Sequence, residues 1–258
     1  MEPAEIIRNG STVQVKLARA EVLNAISSGL VASLMRAVEQ AGAPGVRAMI
    51  ITGTGRAFCA GADIEEVTSL GDGWEFHAWV RQIQTMVEAI ADCAVPTIAA
   101  INGACMGGGL ELAMACDFRL AARGANFALP EIHIGVLPAA GGLARLHQLV
   151  GPSTARRLVM LGEQFDADHA ARIGLVDEVI PGDSLLTRAD DLAKGFAERP
   201  AEALARAKAA FREFEEPSLV RGLRTEAAAA QVLFDTEERR SRMGAFLARR
   251  SAPRPMSS

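Results

Sequence analysis

The sequence contains three segments in which small residues stand beside an acidic one. A run of strand-forming residues at 95–101 precedes residues 102–117, NGACMGGGLELAMACD, in which three glycines are followed by good helix formers. Glycines permit a positive φ and close approach of a ligand, and the first turn of a helix leaves N–H groups unpaired at its positive end. The N–H groups at the start of this helix are therefore candidate donors to a negative oxygen, and Glu111 lies about one turn into the helix. Such glycines also occur for packing alone, so this motif by itself leaves both interpretations open.

A second segment, GRAFCAGADIEEV at residues 55–67, follows the same plan. Ala60, Gly61 and Ala62 precede Asp63 and a predicted helix, which again leaves backbone N–H groups without helical partners. A second set of backbone donors is thus left exposed.

The third segment, residues 125–151, places Glu131 among apolar neighbours. An unpaired charge in such surroundings is costly unless it has a partner or a chemical role. His133 would share a face with Glu131 if this stretch were a strand, so it is either the partner of that carboxylate or a core histidine with other contacts.

Composition narrows the class of protein. The chain has 258 residues, half of them hydrophobic, a net charge of −4 and no basic run of the kind that binds nucleic acid. No apolar stretch reaches the roughly 18 residues of a membrane helix, and the N-terminus lacks signal-peptide features, so we expect a soluble cytoplasmic protein. The four cysteines and four histidines show no metal-ligand spacing, which predicts reduced, buried thiols and no metal site.

The elements that must position these segments alternate between strand and helix up to about residue 200. The predicted elements are a β-hairpin turning at Asn9-Gly10, a helix capped by Ser27, a buried strand at residues 48–54, an amphipathic helix at 74–90 and a strand at 95–101. Beyond residue 200 the pattern is helical, with Arg and Lys interspersed. We therefore predict an α/β core followed by a helical region.

Four motifs resemble those of the enoyl-CoA hydratase/isomerase, or crotonase, superfamily, and the likeness runs along the chain. They are LNAIS at residues 23–27, GRAFCAGADI at 55–64, NGACMGGGLELAMACD at 102–117 and PEIHIGVLPAAGG at 130–142. The resemblance implies a crotonase-like ββα spiral core with the acyl-CoA site at residues 1–199. It also implies a C-terminal helical trimerisation region at residues 200–258, and hence a homotrimer or homohexamer.

By this resemblance, an acyl-CoA thioester is the substrate, and coenzyme A arrives as part of it rather than as a separate cofactor. The thioester oxygen would lie in an oxyanion hole formed by the N–H groups of Ala60 and Gly108. Gly61, Ala62 and Asp63 would complete the loop that binds the substrate near the junction of pantetheine and acyl group.

Hydratases of this superfamily carry two glutamates, matching Glu111 and Glu131, whereas isomerases usually keep one. The resemblance thus implies a lyase of fatty acid metabolism that adds water across the 2,3 double bond of an enoyl-CoA. We assign water activation to Glu111 and proton donation at the α-carbon to Glu131, with the exchange of these roles left open. The alternatives are a double-bond isomerase of the same superfamily and a non-catalytic RNA-binding or assembly member.

The chain departs from the family pattern near the second glutamate. Ala139 replaces the first glycine of PGxGGT, which keeps the backbone N–H and adds a methyl group where a water would bind. Tyrosine is absent from the whole sequence, which disfavours family chemistries that use a phenol. Neither feature touches the two glutamates.

Overall fold

The fold was analysed in a computed structural model that describes residues 2–251, the side chains of 216–218, 250 and 251 excepted. Within that range the strands are β1 (Ala4–Asn9), β2 (Thr12–Leu17), β3 (Ala48–Gly53), β4 (Ala57–Cys59), β5 (Thr97–Ile101), β6 (Ala104–Met106), β7 (Phe118–Ala122), β8 (Asn126–Ala128), β9 (Phe165–Asp166) and β10 (Glu178–Ile180). The helices are α1 (Ser28–Ala41), α2 (Ile64–Ser69), α3 (Gly73–Ala91), α4 (Gly108–Ala115), α5 (Gly142–Leu161), α6 (Ala167–Arg172), α7 (Leu185–Ala197), α8 (Ala201–Phe234) and α9 (Glu237–Ser251).

The strands form two sheets that the chain visits in turn. The larger sheet has the order β1-β2-β3-β5-β7-β10 and is parallel except for the β1–β2 pair, and the smaller has the order β4-β6-β8-β9. From β3 to β8 each strand of the larger sheet is followed by one of the smaller sheet, and helices connect successive pairs. This arrangement is the predicted ββα spiral, so the prediction of the fold class is confirmed.

Apolar strands explain the central position of β3 and β5. Five of the six residues of β3 and all five of β5 are buried, as expected for parallel strands covered on both faces. The four cysteines are free and buried in the same core.

The N-terminal hairpin differs from its prediction by one position. Asn9 pairs with Thr12, so the turn consists of Gly10 and Ser11, and Gly10 has a φ of 60°. Glycine adopts that angle without strain, which places the turn one residue later than the Asn-Gly pattern indicated.

The C-terminal helices pack partly on the core of their own chain. The second half of α8 buries Leu219, Leu223, Ala227, Ala230 and Phe234, and it packs against α3 and α5. The first half exposes 66% of Phe211 and 80% of Phe214. The division at residue 200 coincides with the start of α8, and the trimerisation role of this region stays a prediction.

Across residues 2–251, a search of the helices finds none with the length and apolar character that crossing a bilayer would require.

Candidate active site

Glu111 lies in the first turn of α4, where the three glycines end. Only 4% of the residue is exposed, and its Oε1 accepts hydrogen bonds from the N–H groups of Ala140 and Gly142, both at 2.8 Å. The other carboxylate oxygen, Oε2, lies on the side of Gly108, where an added β-carbon would be 3.7 Å away. The turn before α5 therefore orients this side chain and leaves one oxygen for chemistry.

Glu131 lies in a 3-10 helix, Pro130–Ile134, rather than in a strand. Its Oε2 is buried and has no hydrogen-bond partner among the described residues. Its Oε1 lies close to the backbone of Gly107, where a β-carbon would come within 2.8 Å. A buried oxygen without a partner is uncommon in folded proteins and points to a group that acts on a ligand.

Burial and the charges of neighbouring groups give Glu111 and Glu131 different pKa values. Burial raises the pKa of Glu111 from 4.5 to about 6, and the N–H donors Ala140 and Gly142 and the charge of Arg145 hold it down. Burial also raises the pKa of Glu131, to about 8, and the negative charges of Glu111 and Glu226 add to the effect. Near neutral pH Glu111 is mostly ionised and Glu131 mostly protonated, so the site holds a base and an acid side by side.

Two backbone N–H groups meet beside Glu111. The N–H of Gly108 is at the N-terminus of α4, and a β-carbon on Gly108 would lie 3.7 Å from the nitrogen of Ala62. Neither N–H donates to another atom within residues 2–251. Gly61, with a φ of 96°, brings the loop this close, since a β-carbon there would be 3.3 Å from the nitrogen of Gly108.

The predicted oxyanion donor at Ala60 is not supported by the structure. Its N–H donates to the carbonyl of Leu23 at 3.0 Å, which leaves no proton for a ligand. Leu23 can reach this position because it adopts a left-handed backbone conformation, with a φ of 57°. The free donor on this loop is the N–H of Ala62, two residues later, and Gly108 keeps its predicted place opposite.

Two further sequence-based assignments change in the structure. Asp63 does not line the cavity: its side chain caps α2 by accepting from Glu65 N at 3.2 Å and pairs with Arg19 at 2.9 Å. His133 is exposed, and its Nε2 lies 3.2 Å from the carbonyl oxygen of Gly162, so it is not the partner of Glu131. Both side chains serve local structure.

One cavity of about 870 Å³ joins these groups. Both glutamates and the backbone at Ala60, Gly61, Ala62 and Gly108 line it. One wall is apolar, and it is formed by residues from α2, α3 and the segment before α5, namely Ile64, Val67, Phe76, Trp79, Val80, Ile83 and Leu137. The cavity can therefore hold an apolar group beside a carbonyl oxygen, a base and an acid.

The family of this chain is shown by comparison with known proteins. The family model for enoyl-CoA hydratase/isomerase matches residues 8–254. The chain belongs to the enoyl-CoA hydratase/isomerase family. It is 37% identical over 238 residues to a crotonyl-CoA hydratase of Syntrophomonas wolfei, covering 91% of this chain and 90% of that one. It is 33% identical over 260 residues to an enoyl-CoA isomerase/hydratase of Mycosarcoma maydis, covering 97% and 94%.

The fold of this family member matches a solved structure over nearly its whole length. The crystal structure of an enoyl-CoA hydratase from Mycobacterium avium subsp. paratuberculosis superimposes with a TM-score of 0.86 at 28% identity and covers 98% of both chains. Similarity of this degree establishes the superfamily and the spiral core, whereas the reaction must be argued from the site.

Sequence reasoning missed one buried carboxylate of this enoyl-CoA hydratase/isomerase member. Glu226 of α8 is 2% exposed and contacts the turn that holds Glu111. Its signal was present in the pattern, because Glu226 falls at helical spacing between Leu223 and Ala230 on the buried face of the helix. An acidic residue on the apolar face of a helix is costly to bury without a partner, and this alone indicates a structural or functional role.

Proposed function

We propose that this protein is an enoyl-CoA hydratase, which adds water reversibly across the 2,3 double bond of a 2-enoyl-CoA thioester. The observation that carries the proposal is the convergence of two buried carboxyl groups of different acidity with two unpartnered N–H groups on one cavity. Hydration needs each of these, because a water must lose a proton, a carbon must gain one and an oxygen must carry charge in between.

Glu111 acts as the base in this proposal. Its carboxylate takes a proton from water as the water oxygen bonds to C3, and the electron pair of the double bond moves toward the thioester oxygen. Glu131 then gives its proton to C2 as the enolate returns to the thioester. Glu111 ends protonated and Glu131 ionised, and a proton passing between them through the pocket water restores the starting state. Acid–base assistance of this kind contributes about 10²- to 10⁴-fold.

The N–H groups of Ala62 and Gly108 form the proposed oxyanion hole. Charge on the thioester oxygen is larger in the transition state than in the bound substrate, so fixed donors lower the barrier rather than only tighten binding. Each donor of this kind contributes about 2.7 to 4 kcal/mol in comparable sites. The loop of Gly61 and Ala62 would also border the substrate, and Gly61 permits the close approach of this loop to Gly108.

The rest of the cavity offers space for the acyl chain and for the coenzyme A end of the substrate. The apolar wall from α2 and α3 suits the acyl chain. Val22, Leu23, Arg56 and Arg249 also line the cavity, and we assign this part to the coenzyme A end, where the two arginines would face its phosphates. Because coenzyme A is part of the substrate, the proposed reaction needs no further cofactor. The buried free thiols favour a cytoplasmic setting for this reaction.

Loss of the conjugated thioester absorbance on adding a 2-enoyl-CoA tests the proposal directly. We expect hydration of 2-enoyl-CoA to exceed conversion of the matching 3-enoyl-CoA. A faster reaction of the 3-enoyl thioester would instead support an isomerase, in which a single carboxylate moves a proton between C2 and C4. Binding of RNA without turnover of either thioester would favour a non-catalytic member.

A further inference from the structure

Glu226 of helix α8 contacts the turn at residues 140–144, which orients Glu111. Oε2 of Glu226 accepts a hydrogen bond from the N–H of Gly141 at 2.7 Å. Oε1 accepts from Leu143 at 3.1 Å and from Ala144 at 2.8 Å. One side chain of the helical region thus binds three N–H groups of the core.

The N–H groups of residues 140–144 divide between two carboxylates. Those of residues 140 and 142 donate to Glu111, and those of residues 141, 143 and 144 donate to Glu226. Both Glu111 and Glu226 therefore bind this turn. A shift of its backbone that breaks the hydrogen bonds of one glutamate also disturbs those of the other.

Two more side chains donate hydrogen bonds to the same turn, and one of them connects it to α8. Nε2 of Gln84, on α3, donates to the carbonyl oxygen of Ala139 at 2.6 Å and to that of Leu223 at 2.9 Å. Nη1 of Arg145 donates to the carbonyl oxygen of Ala140 at 3.4 Å. Gln84 thereby connects the start of the turn to α8, next to Glu226.

We propose that Glu226 is a positioning residue for hydration, which fixes the turn at residues 140–144 so that Glu111 keeps Oε2 on the side of Gly108. Glu226 lies behind the wall of the cavity and acts only through the backbone. This inference rests on the proposed hydratase function and adds a requirement that the C-terminal helix be docked for the base to be aligned. A misplacement of about 1 Å in such a group can cost about 100-fold in rate.

The charges around Glu226 decide how its loss would appear in a pH profile. It interacts electrostatically with Glu111 on α4, Glu131 on the 3-10 helix and Arg145 on α5. The charges of Glu88 and Arg212 in turn act on Arg145. Burial and the charge of Glu111 raise the pKa of Glu226, to about 8.

Replacing the Glu226 carboxyl group by a neutral amide can only remove negative charge near Glu111, which by itself leaves the acid limb in place or moves it to lower pH. That limb moves upward only if the turn loosens and Glu111 loses the N–H groups that hold its pKa down. The acid limb thus distinguishes positioning from simple electrostatics.

The experiment compares Glu226→Gln with Leu219→Ala, both at buried positions of α8. In Glu226→Gln the amide presents N–H to the N–H of Gly141, so we expect kcat to fall about 10- to 100-fold. KM should stay within about threefold, and the acid limb should rise by about one pH unit. Leu219→Ala should lower the melting temperature through lost packing and keep the wild-type kcat and acid limb.

Two results would overturn the inference: a folded Glu226→Gln protein with wild-type kcat and acid limb, or the same changes in Leu219→Ala. If Glu226→Gln does not fold, Glu226→Asp carries the same test, because it keeps the carboxyl group and is too short to reach all three N–H groups. Absence of hydration by the wild-type protein would instead refute the proposed function, so the two failures are distinguishable.

Discussion

Glu131 and Gly107 are in contact, and the contact depends on the missing side chain of the glycine. A β-carbon on Gly107 would stand 2.8 Å from Glu131 Oε1, and Gly107 has a φ of 53° and a ψ of −128°. The residue joins β6 to α4, and the carbonyl of Gly107 accepts the first N–H bonds of that helix. Gly107 therefore determines both the position of Glu131, the proposed acid, and the start of the helix that carries Glu111, the proposed base.

Gly107→Ala should displace the carboxyl group of Glu131 and lower kcat at least about 10-fold. Gly10→Ala is the control for alanine at a positive φ, because Gly10 has a φ of 60° and nothing lies within 4 Å of its β-carbon position. We expect that control to lose about 1 kcal/mol of stability without a change in turnover. A folded Gly107→Ala protein with the wild-type rate would show that the position of Glu131 is not critical.

Glu111→Gln should lower hydration by at least about 100-fold while the fold is retained. The amide oxygen can still accept from Ala140 and Gly142, so the turn before α5 keeps its hydrogen bonds, whereas the base is lost. Steady-state kinetics and affinity for a saturated acyl-CoA measure the two effects. An unchanged kcat would rule out the hydratase proposal.

Replacing a single backbone amide by an ester tests the oxyanion hole, since an ester removes the N–H and keeps the side chain. L-lactic acid at Ala62 should lower kcat about 10²- to 10³-fold with little change in thioester affinity. The same replacement at Ala60 removes the bond to Leu23 and should lower the free energy of unfolding by about 1 kcal/mol, with turnover retained. The reverse pattern would restore Ala60 as the donor.

Stability should fall as the pH rises through the neutral range. The pKa of Glu131 is raised from 4.5 to about 8, so between these values the native chain binds a proton that the unfolded chain releases. The free energy of unfolding therefore decreases from about pH 4.5 to about pH 8, and the raised pKa of Glu226 acts in the same direction.

Urea unfolding of wild type and Glu131→Gln at pH values across that range measures this slope, which should be smaller in the variant. Glu178→Gln is the contrasting control: hydrogen bonding to Arg188 lowers the pKa of Glu178, so its contribution is lost as the pH falls. An equal slope in all three proteins would contradict the assigned proton on Glu131.

Self-association should cover the exposed aromatic residues of α8. Phe211 and Phe214 are three residues apart and so face the same way, and both are mostly exposed in the single chain. We expect sedimentation to give three or six chains at micromolar concentration, and Phe214→Glu to weaken the assembly. Glu213→Gln, at the neighbouring exposed position, should leave it intact. A wild-type monomer would contradict the predicted homotrimer or homohexamer.

The sequence was sufficient for the features that depend on local pattern. The amphipathic spacing before Ala91, the buried strand before Asn102 and the glycine turn into α4 all form as their residues predict. Both glutamates reach one cavity, as the resemblance implied.

The sequence does not show which backbone N–H groups already donate hydrogen bonds to distant segments of the chain. Ala60 and Ala62 are equivalent in the motif, and only the left-handed backbone at Leu23 shows that the first is taken. Glu226 reaches the turn at residues 140–144 through a contact about 85 residues away in sequence. Local propensity carries no information on such pairings.

The four buried cysteines give the protein an internal measure of how often its core opens. Burial raises the pKa of the Cys59 and Cys116 thiols to about 12, so thiolate is scarce in the closed state and thiol reagents can label these residues only when the surrounding structure opens. Cys59 lies opposite Cys105 in the β4–β6 strand pair and directly precedes Ala60, where the loop of the site begins. Labelling with and without an acyl-CoA would therefore report how strongly a bound thioester suppresses opening at the place where it binds.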